Sequence, residues 1–477
     1  MKLSRTGVAL AFFTALLALS VRKAAPVGDG VAAYSLPKIK PTGFNVYQGI
    51  LDWTPVSSTQ AVAFARNMVD GSYTYSLKSY ILSKTGVASS SRTIGTGMGT
   101  PRAAVSFWIE AGSGGDSAGP YGLVFVLFEI YQENPHRATC SIRVAKFDAS
   151  GKRTSAWREL LRIELGKDQY FSNEALFACC GPNSIGVVPS AWIGSSGASS
   201  VRSSRLYFLE ASLADGGLIG RAVLLPLPEP DRVIGALASR PSWTGTSWLV
   251  PAVATVYEKG GSWDDIIGNR AMVYSVSGGA TRKVVGREIA RDGVLSSETY
   301  GALCLLPGPG TAGDQLLFVR HRKPIPESRR KLDMFQYDYS LKRLDASGRV
   351  LKSTALTLPA PAHKLAYDPA YKFKWELDEW SEGLARKGKV YLSQCRSIEI
   401  YKKGSGAKYE QQVNFFEINP LDGAVQHRAQ AITIWNEVLF FQPLIDVFPG
   451  GPIAVVNRAY HSASPYPWDS YFTRFSD

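Results

Sequence analysis

Short runs that are apolar at consecutive positions, not at alternate ones, recur along the chain: VAFA from Val62, LVFVLF from Leu123, VVPSAW from Val187, LVPAVATV from Leu249, LLFV from Leu316, VYLS from Val390 and IAVV from Ile453. Their starts lie 61 to 74 residues apart. A strand that is apolar on both sides has to be covered on both sides, as happens when one sheet packs against the next. Each of the first six runs leads through a polar stretch to a second β-rich run and then to a tight turn, and those turns hold Gly86, Gly151, Gly216, Gly279, Gly348 and Gly423. The turns form an independent series, 63 to 75 residues apart, and both series lengthen at the step from the fifth unit to the sixth. One insertion before the sixth run explains both. Glycine in such turns supplies the positive φ that hairpin connections need.

Each unit reads as four strands. In the third, ALFACC (Ala175 to Cys180) turns at Gly181 into IGVVPSAWI, a loop leads to RLYFLEASL, and Asp215-Gly216 turns into LIGRAVLLP. Four-stranded units of this length stacked radially are β-propeller blades. The expectation is an all-β fold, a seven-bladed β-propeller with four-stranded blades. Its seventh unit stops after SYFTRF (Ser470 to Phe475), so the extended N-terminal strand Val31 to Ile39 is expected to complete the last blade and hide its edge. One segment conflicts with this register, because Ser155 to Leu165 (SAWRELLRIEL) has helical charge spacing. The repeat assigns it to an outer strand, and local propensity is the weaker guide.

Two outer turns, AKFDASGK (Ala145 to Lys152) and KRLDASGR (Lys342 to Arg349), carry a family resemblance. They resemble the apolar-x-apolar-D-x-x-G-K hairpins of bacterial secreted β-propellers of the broad quinoprotein-like and TolB-like kind. The resemblance implies fold and no particular activity.

The chain has 477 residues, 45 glycines, 27 prolines, 5 cysteines and a formal net charge of +13, which excludes a disordered tail, a collagenous rod and a disulfide-stapled mini-protein. Lys2 and Arg5 precede an apolar stretch, Val8 to Leu19, that ends in small residues. That is the pattern of a secretory signal peptide, and the stretch falls short of the roughly 20 residues a membrane-spanning helix needs. Residues 1 to 20 are therefore read as a signal and 21 to 477 as a single domain, secreted or periplasmic. Cys140, Cys179, Cys180, Cys304 and Cys395 match no disulfide framework or paired zinc-site spacing. Free thiols are the simplest reading.

Motifs for chemistry are sparse. GDSAG (Gly115 to Gly119) satisfies the nucleophile-elbow spacing, but a strand follows it where the elbow needs a helix. DASGKRTSAW, from Asp148, is close to the tryptophan-docking repeat of quinone enzymes yet one residue short, so no cofactor is expected. The histidines, His136, His321, His363, His427 and His461, show no metal-ligand spacing, and the acidic run Glu376, Asp378, Glu379 and Glu382 reads as a solvated hairpin. No metal site is expected.

The long loops carry more information, because binding residues concentrate on loops held by a rigid scaffold. Arg320 to Lys331 (RHRKPIPESRRK), Lys364 to Lys374, and the loop holding Lys402, Lys403 and Lys408 are strongly basic and belong to neighbouring units five and six. Tyr367, Tyr371, Phe373, Trp375 and Tyr409 are interleaved with them. This basic face is expected to bind an anionic envelope or extracellular polymer, or a protein partner, through Arg322, Lys323, Arg329, Arg330, Lys331, Lys372, Lys402 and Lys403. Export disfavours nucleic acid as the partner. The competing expectation is a lyase or hydrolase of acidic polysaccharide, in which Arg320 neutralises a carboxylate and His321 or Tyr371 moves the proton. The oligomeric state is left open.

Overall fold

The computed structural model describes residues 32–33, 47–68, 75–86, 88–97, 100–109, 122–134, 137–166, 169–195, 203–228, 234–257, 266–292, 304–307, 315–323, 336–359, 371–381, 383–386, 388–402, 408–435, 439–450, 453–461 and 468–475. A two-residue strand, β1 (Ala32–Ala33), comes first. Blade one is β2 (Tyr47–Pro55), β3 (Gln60–Met68), β4 (Tyr75–Ser83) and β5 (Ala88–Gly97), and blade two is β6 (Thr100–Trp108), β7 (Leu123–Asn134), β8 (Arg137–Phe147) and β9 (Arg158–Glu164). Blade three is β10 (Gln169–Cys180), β11 (Ser184–Ser195), β12 (Ser203–Ser212) and β13 (Val223–Leu224). Blade four is β14 (Ile234–Ala238), the short β15 (Ser242–Trp243), β16 (Ser247–Tyr257), β17 (Ile266–Ser277) and β18 (Val284–Asp292). Blade five is β19 (Cys304–Pro307), β20 (Gln315–Lys323), β21 (Gln336–Leu344) and β22 (Val350–Leu356). Blade six is β23 (Tyr371–Trp380), the short β24 (Leu384–Arg386), β25 (Lys389–Lys402), β26 (Lys408–Ile418) and β27 (Val425–Trp435). A three-stranded sheet, β28 (Leu439–Val447), β29 (Ile453–His461) and β30 (Trp468–Phe475), ends the chain's course.

The fold is an all-β propeller, but the expected seven four-stranded blades are corrected to six. Among the described residues six sheets have four or more strands, and β28 to β30 stands as three. The described part of the expected N-terminal strand does not complete that sheet, and the rest of Val31 to Ile39 lies outside the described residues. Its Ala32 and Ala33 pair in parallel with Ala429 and Gln430 on β27, at the outer edge of blade six. The reason is physical: the apolar period reports buried inner strands, whereas an outer edge is chosen by backbone hydrogen bonding that leaves little hydrophobic trace. The helical-looking segment is β9, paired with β8 from Val144 opposite Arg158 to Thr139 opposite Glu164, so the register overrides local propensity.

Burial explains the doubly apolar runs. On β7, Val124, Val126, Phe128 and Ile130 join the core shared with blade three. Leu123, Phe125 and Leu127 on the alternate positions join the core shared with blade one, where Phe64 and Phe125 stack at 3.9 Å. The same division occurs on β16, where Trp248, Val250, Ala252 and Ala254 serve blade three and Leu249 serves blade five. Each seam is thus a dry layer between two sheets, at roughly 1.5–3 kcal/mol per fully buried large apolar side chain.

The outer turns lock these layers together. Gly151, in the turn before β9, has φ +70°, and a Cβ there would lie 2.8 Å from Ser79 Oγ of blade one. Ser79 Oγ donates to the Gly151 carbonyl at 2.8 Å. The arrangement then repeats from blade to blade, with Lys146 Nζ donating to Ala214 O, Ser247 Oγ to Ala346 O and Lys352 Nζ to Leu421 O. Between blades three and four the polarity reverses, and Glu210 Oε2 accepts from the Gly279 amide. The DASG sequence is a docking device: Asp148 Oδ1 accepts from the Ser150 and Lys152 amides, Asp345 Oδ1 does the same for Ser347 and Arg349, and the turn carbonyl is left facing the preceding blade.

Candidate functional site

In the ring the inner strands run toward the short β2–β3 and β28–β29 type turns, while the longer connections leave from the opposite end. Two groups of residues stand out, one at each end.

At the long-loop end, strand register brings the roots of the basic segments together. Tyr371 pairs with Lys402 and Lys372 with Tyr401, so the start of β23 and the end of β25 coincide. In blade five, β20 runs to Lys323 at the corresponding end, with Arg320 opposite Tyr339, His321 opposite Asp338, Arg322 opposite Tyr337 and Lys323 opposite Gln336. Blades five and six are neighbours, sharing a core of Leu316, Phe318 and Leu341 with Leu392, Phe416 and Ile418. Arg320 follows Leu316 and Phe318 at the next alternate position and is only 6% exposed, which makes it part of the packed strand and not of the loop. Arg329, Arg330, Lys331 and Lys403 lie outside the described residues, as do GDSAG, His136 and His363. His427 is buried in blade six, stacked on Phe416 at 5.0 Å.

At the short-turn end, β2 and β28 close the ring. Trp53 Nε1 donates to the Leu444 carbonyl at 3.0 Å and Thr54 Oγ1 donates to Asp446 Oδ2 at 3.2 Å. Across the next seam, the Ser106 amide and Ser106 Oγ, the latter at 2.9 Å, both donate to Asp52 Oδ2. Asp52 and Asp446 are partly buried. Burial pushes Asp52 up to about 7 against the pull of its Ser106 donors, and the Asp446 charge adds to the rise. Burial likewise pushes Asp446 up to about 6, opposed by the Val447 amide, Arg240 and Thr54. Arg240, beyond β14, also acts on Cys180, whose thiol burial raises to about 12 and so leaves protonated and inert.

The sequence reading missed this pair. The available signal was positional: each carboxylate stands three residues before a proline at the end of an inner strand, in LDWTP (Leu51 to Pro55) and IDVFP (Ile445 to Pro449). Neither acid alone is distinctive, and their strands come together only because the ring closes.

Among the described residues no helix is long and apolar enough to cross a membrane. No protein-family model matches the chain, and no curated protein does. Solved structures that share its course include the β-propeller domain of the Trilobed protease from Pyrococcus furiosus (11% identity, TM-score 0.39, covering 91% of this chain and 97% of that one). The NanB sialidase from Streptococcus pneumoniae matches at 12% identity and TM-score 0.38 over 93% of this chain and 71% of that one. Kuenenia stuttgartiensis hydrazine synthase matches at 11% identity and TM-score 0.35 over 92% and 99%. At these scores no functional argument rests on them.

Proposed function

We propose that this chain is an exported propeller that works as a binding module, holding an anionic envelope or extracellular polymer, or a protein partner, on the basic sector of blades five and six. One observation carries the reading: the pairing of Tyr371 with Lys402, beside the parallel exit of β20 at Lys323, roots three basic segments at one end of two adjacent blades. Cations gathered there raise the local concentration of an anionic chain and speed its encounter at low salt. The aromatic residues in the same segments suit stacking on sugar rings.

The test compares two charge-reversed proteins of equal net charge. One carries Arg322→Glu, Arg329→Glu, Arg330→Glu, Lys402→Glu and Lys403→Glu. The other carries five reversals on outer turns and strands, at Lys152, Arg153, Arg221, Lys283 and Arg287. The first is expected to lose retention on an anionic polysaccharide column and the second to keep most of it. Equal losses would reduce the sector to general charge and overturn the proposal.

A further inference from the structure

Large apolar side chains left in water are distributed unevenly around the ring. Among the described residues they are Leu218, Leu224, Val285, Leu351 and Leu421, between 36% and 69% exposed. Every one stands on the outer turn or fourth strand of a blade from three to six, close to Gly216, Gly279, Gly348 or Gly423. Neighbouring strands of a blade are antiparallel, so the turn from third strand to fourth lies at the same end as the short turn from first to second. These residues therefore share the outer rim of the short-turn end, away from the basic loops. We propose that this rim docks the ring flat on a bilayer with anionic headgroups, leaving the long-loop end facing outward, whatever the basic sector binds.

Local structure builds the exposure in. Leu351 is the extra residue of a β-bulge, between the pairs Arg343–Lys352 and Leu344–Val350, and so has no cross-strand neighbour to cover it. Leu421 stands in a turn where its own amide donates to Asn419 Oδ1 and the Ala424 amide to Asp422 Oδ1. Blades one and two differ. The exposed positions of β5 hold Ser89, Ser90, Ser91 and Arg92, and Trp157 of blade two packs on Phe125 and Phe147, with ring centres 6.1 Å from each.

Charge identifies the partner. Arg221, Lys283, Arg287, Arg349 and Lys352 are exposed among the apolar residues. Arg287 Nε donates to Ser347 O and Lys352 Nζ to Leu421 O, which holds these two cations on the rim. The acids of the same segments are engaged locally: Asp215, Asp345 and Asp422 accept from amides of their own turns, Asp345 also pairs with Arg349, and Glu288 pairs with Arg291. Apolar side chains entering the headgroup boundary, with cations beside them, are the composition of interfacial binding. Their spacing, a blade apart along an arc, suits a flat and deformable surface, whereas a folded partner needs a contiguous interface core.

The experiment is co-sedimentation of the full chain with vesicles of phosphatidylcholine alone or with about 30% phosphatidylglycerol at low salt. One variant carries Arg221→Glu, Lys283→Glu, Arg287→Glu, Arg349→Glu and Lys352→Glu, and is compared with the sector-reversed protein of equal net charge. A third carries Leu218→Ser, Leu224→Ser, Leu351→Ser and Leu421→Ser, with folding checked by thermal unfolding. Wild type is expected to bind the anionic vesicles only. Rim reversal should lower partitioning by about 100-fold, sector reversal by less than about tenfold, and the serine variant by about tenfold. The rim-reversed protein should keep its retention on the polysaccharide column, so that failure of one face is distinguished from failure of the other. Absence of binding to anionic vesicles, equal losses on rim and sector reversal, or a serine variant that binds like wild type overturns the proposal. Self-association that the serine variant abolishes, without vesicle binding, would assign the rim to a second copy and overturn it too.

Discussion

Five seams of the ring, from blade one through blade six, repeat a single device that the described residues of the closing seam do not show. In the five, an outer turn of the following blade meets a partner on the preceding one, from Ser79 beneath Gly151 to Lys352 beneath the turn at Leu421. Among the described residues the three-stranded sheet offers no outer hairpin, and the contacts across the closing seam come from the inner strands. The contrast is sharpest between two carboxylates. Burial pushes Glu210 up as it does Asp52, but Ser184, Trp248, the Gly279 amide and Arg282 all favour its charge, and they bring it below the ordinary carboxylate range. Asp52 has only the Ser106 contacts and the Trp53 amide, and faces another carboxylate, so burial prevails. Glu210 stays charged because its donors and a dedicated cation outweigh its desolvation, and Asp52 lacks that supply.

The largest effect that would test this difference is at Arg282. It is 1% exposed, pairs with Glu210 at 3.4 Å and lies over the Phe208 ring at 5.5 Å. Arg282→Ala leaves Glu210 charged without its cation, and should cost about 3–5 kcal/mol in a denaturant titration. Thr54→Val at the closing seam should cost only about 1 kcal/mol. If the two losses were equal, the seams would not differ in kind.

A smaller effect separates turns that dock from a turn that does not. Gly423 has φ +77°, and a Cβ there would sit 2.5 Å from Thr354 Cγ2 of blade five. Gly450, in the turn between β28 and β29, has φ +61° and nothing within 4 Å of the same position. Gly423→Ala should cost about 2–3 kcal/mol, from backbone strain plus displacement of Thr354, and Gly450→Ala only about 1 kcal/mol of strain. Thermal unfolding of the two variants side by side measures the gap.

Next in size is the sign of the pH dependence. Because Asp52 takes up its proton near 7 when folded and near 4 when unfolded, its contribution is favourable at low pH and is lost as pH rises through that window. Asp52→Asn should stabilise the protein by about 1–2 kcal/mol at pH 8 and by almost nothing at pH 4. A Glu210→Gln variant should do the opposite, destabilising at pH 8, since the native Glu210 holds its charge there. Parallel pH profiles for the two variants would erase the contrast.

These differences mark how far the sequence could be read. The inner strands were legible because a strand packed on both faces leaves consecutive apolar residues, as in LVFVLF, and the turn glycines were legible because their φ values demand them. That the last sheet has three strands among the described residues left no such mark, since the period counts runs like IAVV and says nothing of which edge an N-terminal strand will find. Basic segments announced themselves by charge, although Arg320, counted among them, proves to be a buried continuation of the Leu316 and Phe318 positions. Asp52 and Asp446 were invisible singly. The Thr54–Asp446 bond that joins their two strands spans nearly the whole chain and exists only in the closed ring.

The smallest effect examines the docking device itself. Ser79 is 2% exposed and its hydroxyl reaches the Gly151 carbonyl at 2.8 Å, whereas Lys352 Nζ reaches the Leu421 carbonyl at 3.4 Å in an exposed setting. Removing a buried donor strands its acceptor in a dry seam, while an exposed carbonyl turns to water. Ser79→Ala should therefore cost about 1–2 kcal/mol and Lys352→Ala at most about 0.5 kcal/mol. If the lysine mattered as much as the serine, the repeated contact would be acting through charge at the rim, and the seams would be held from outside instead of by the fit of each turn into the blade before it.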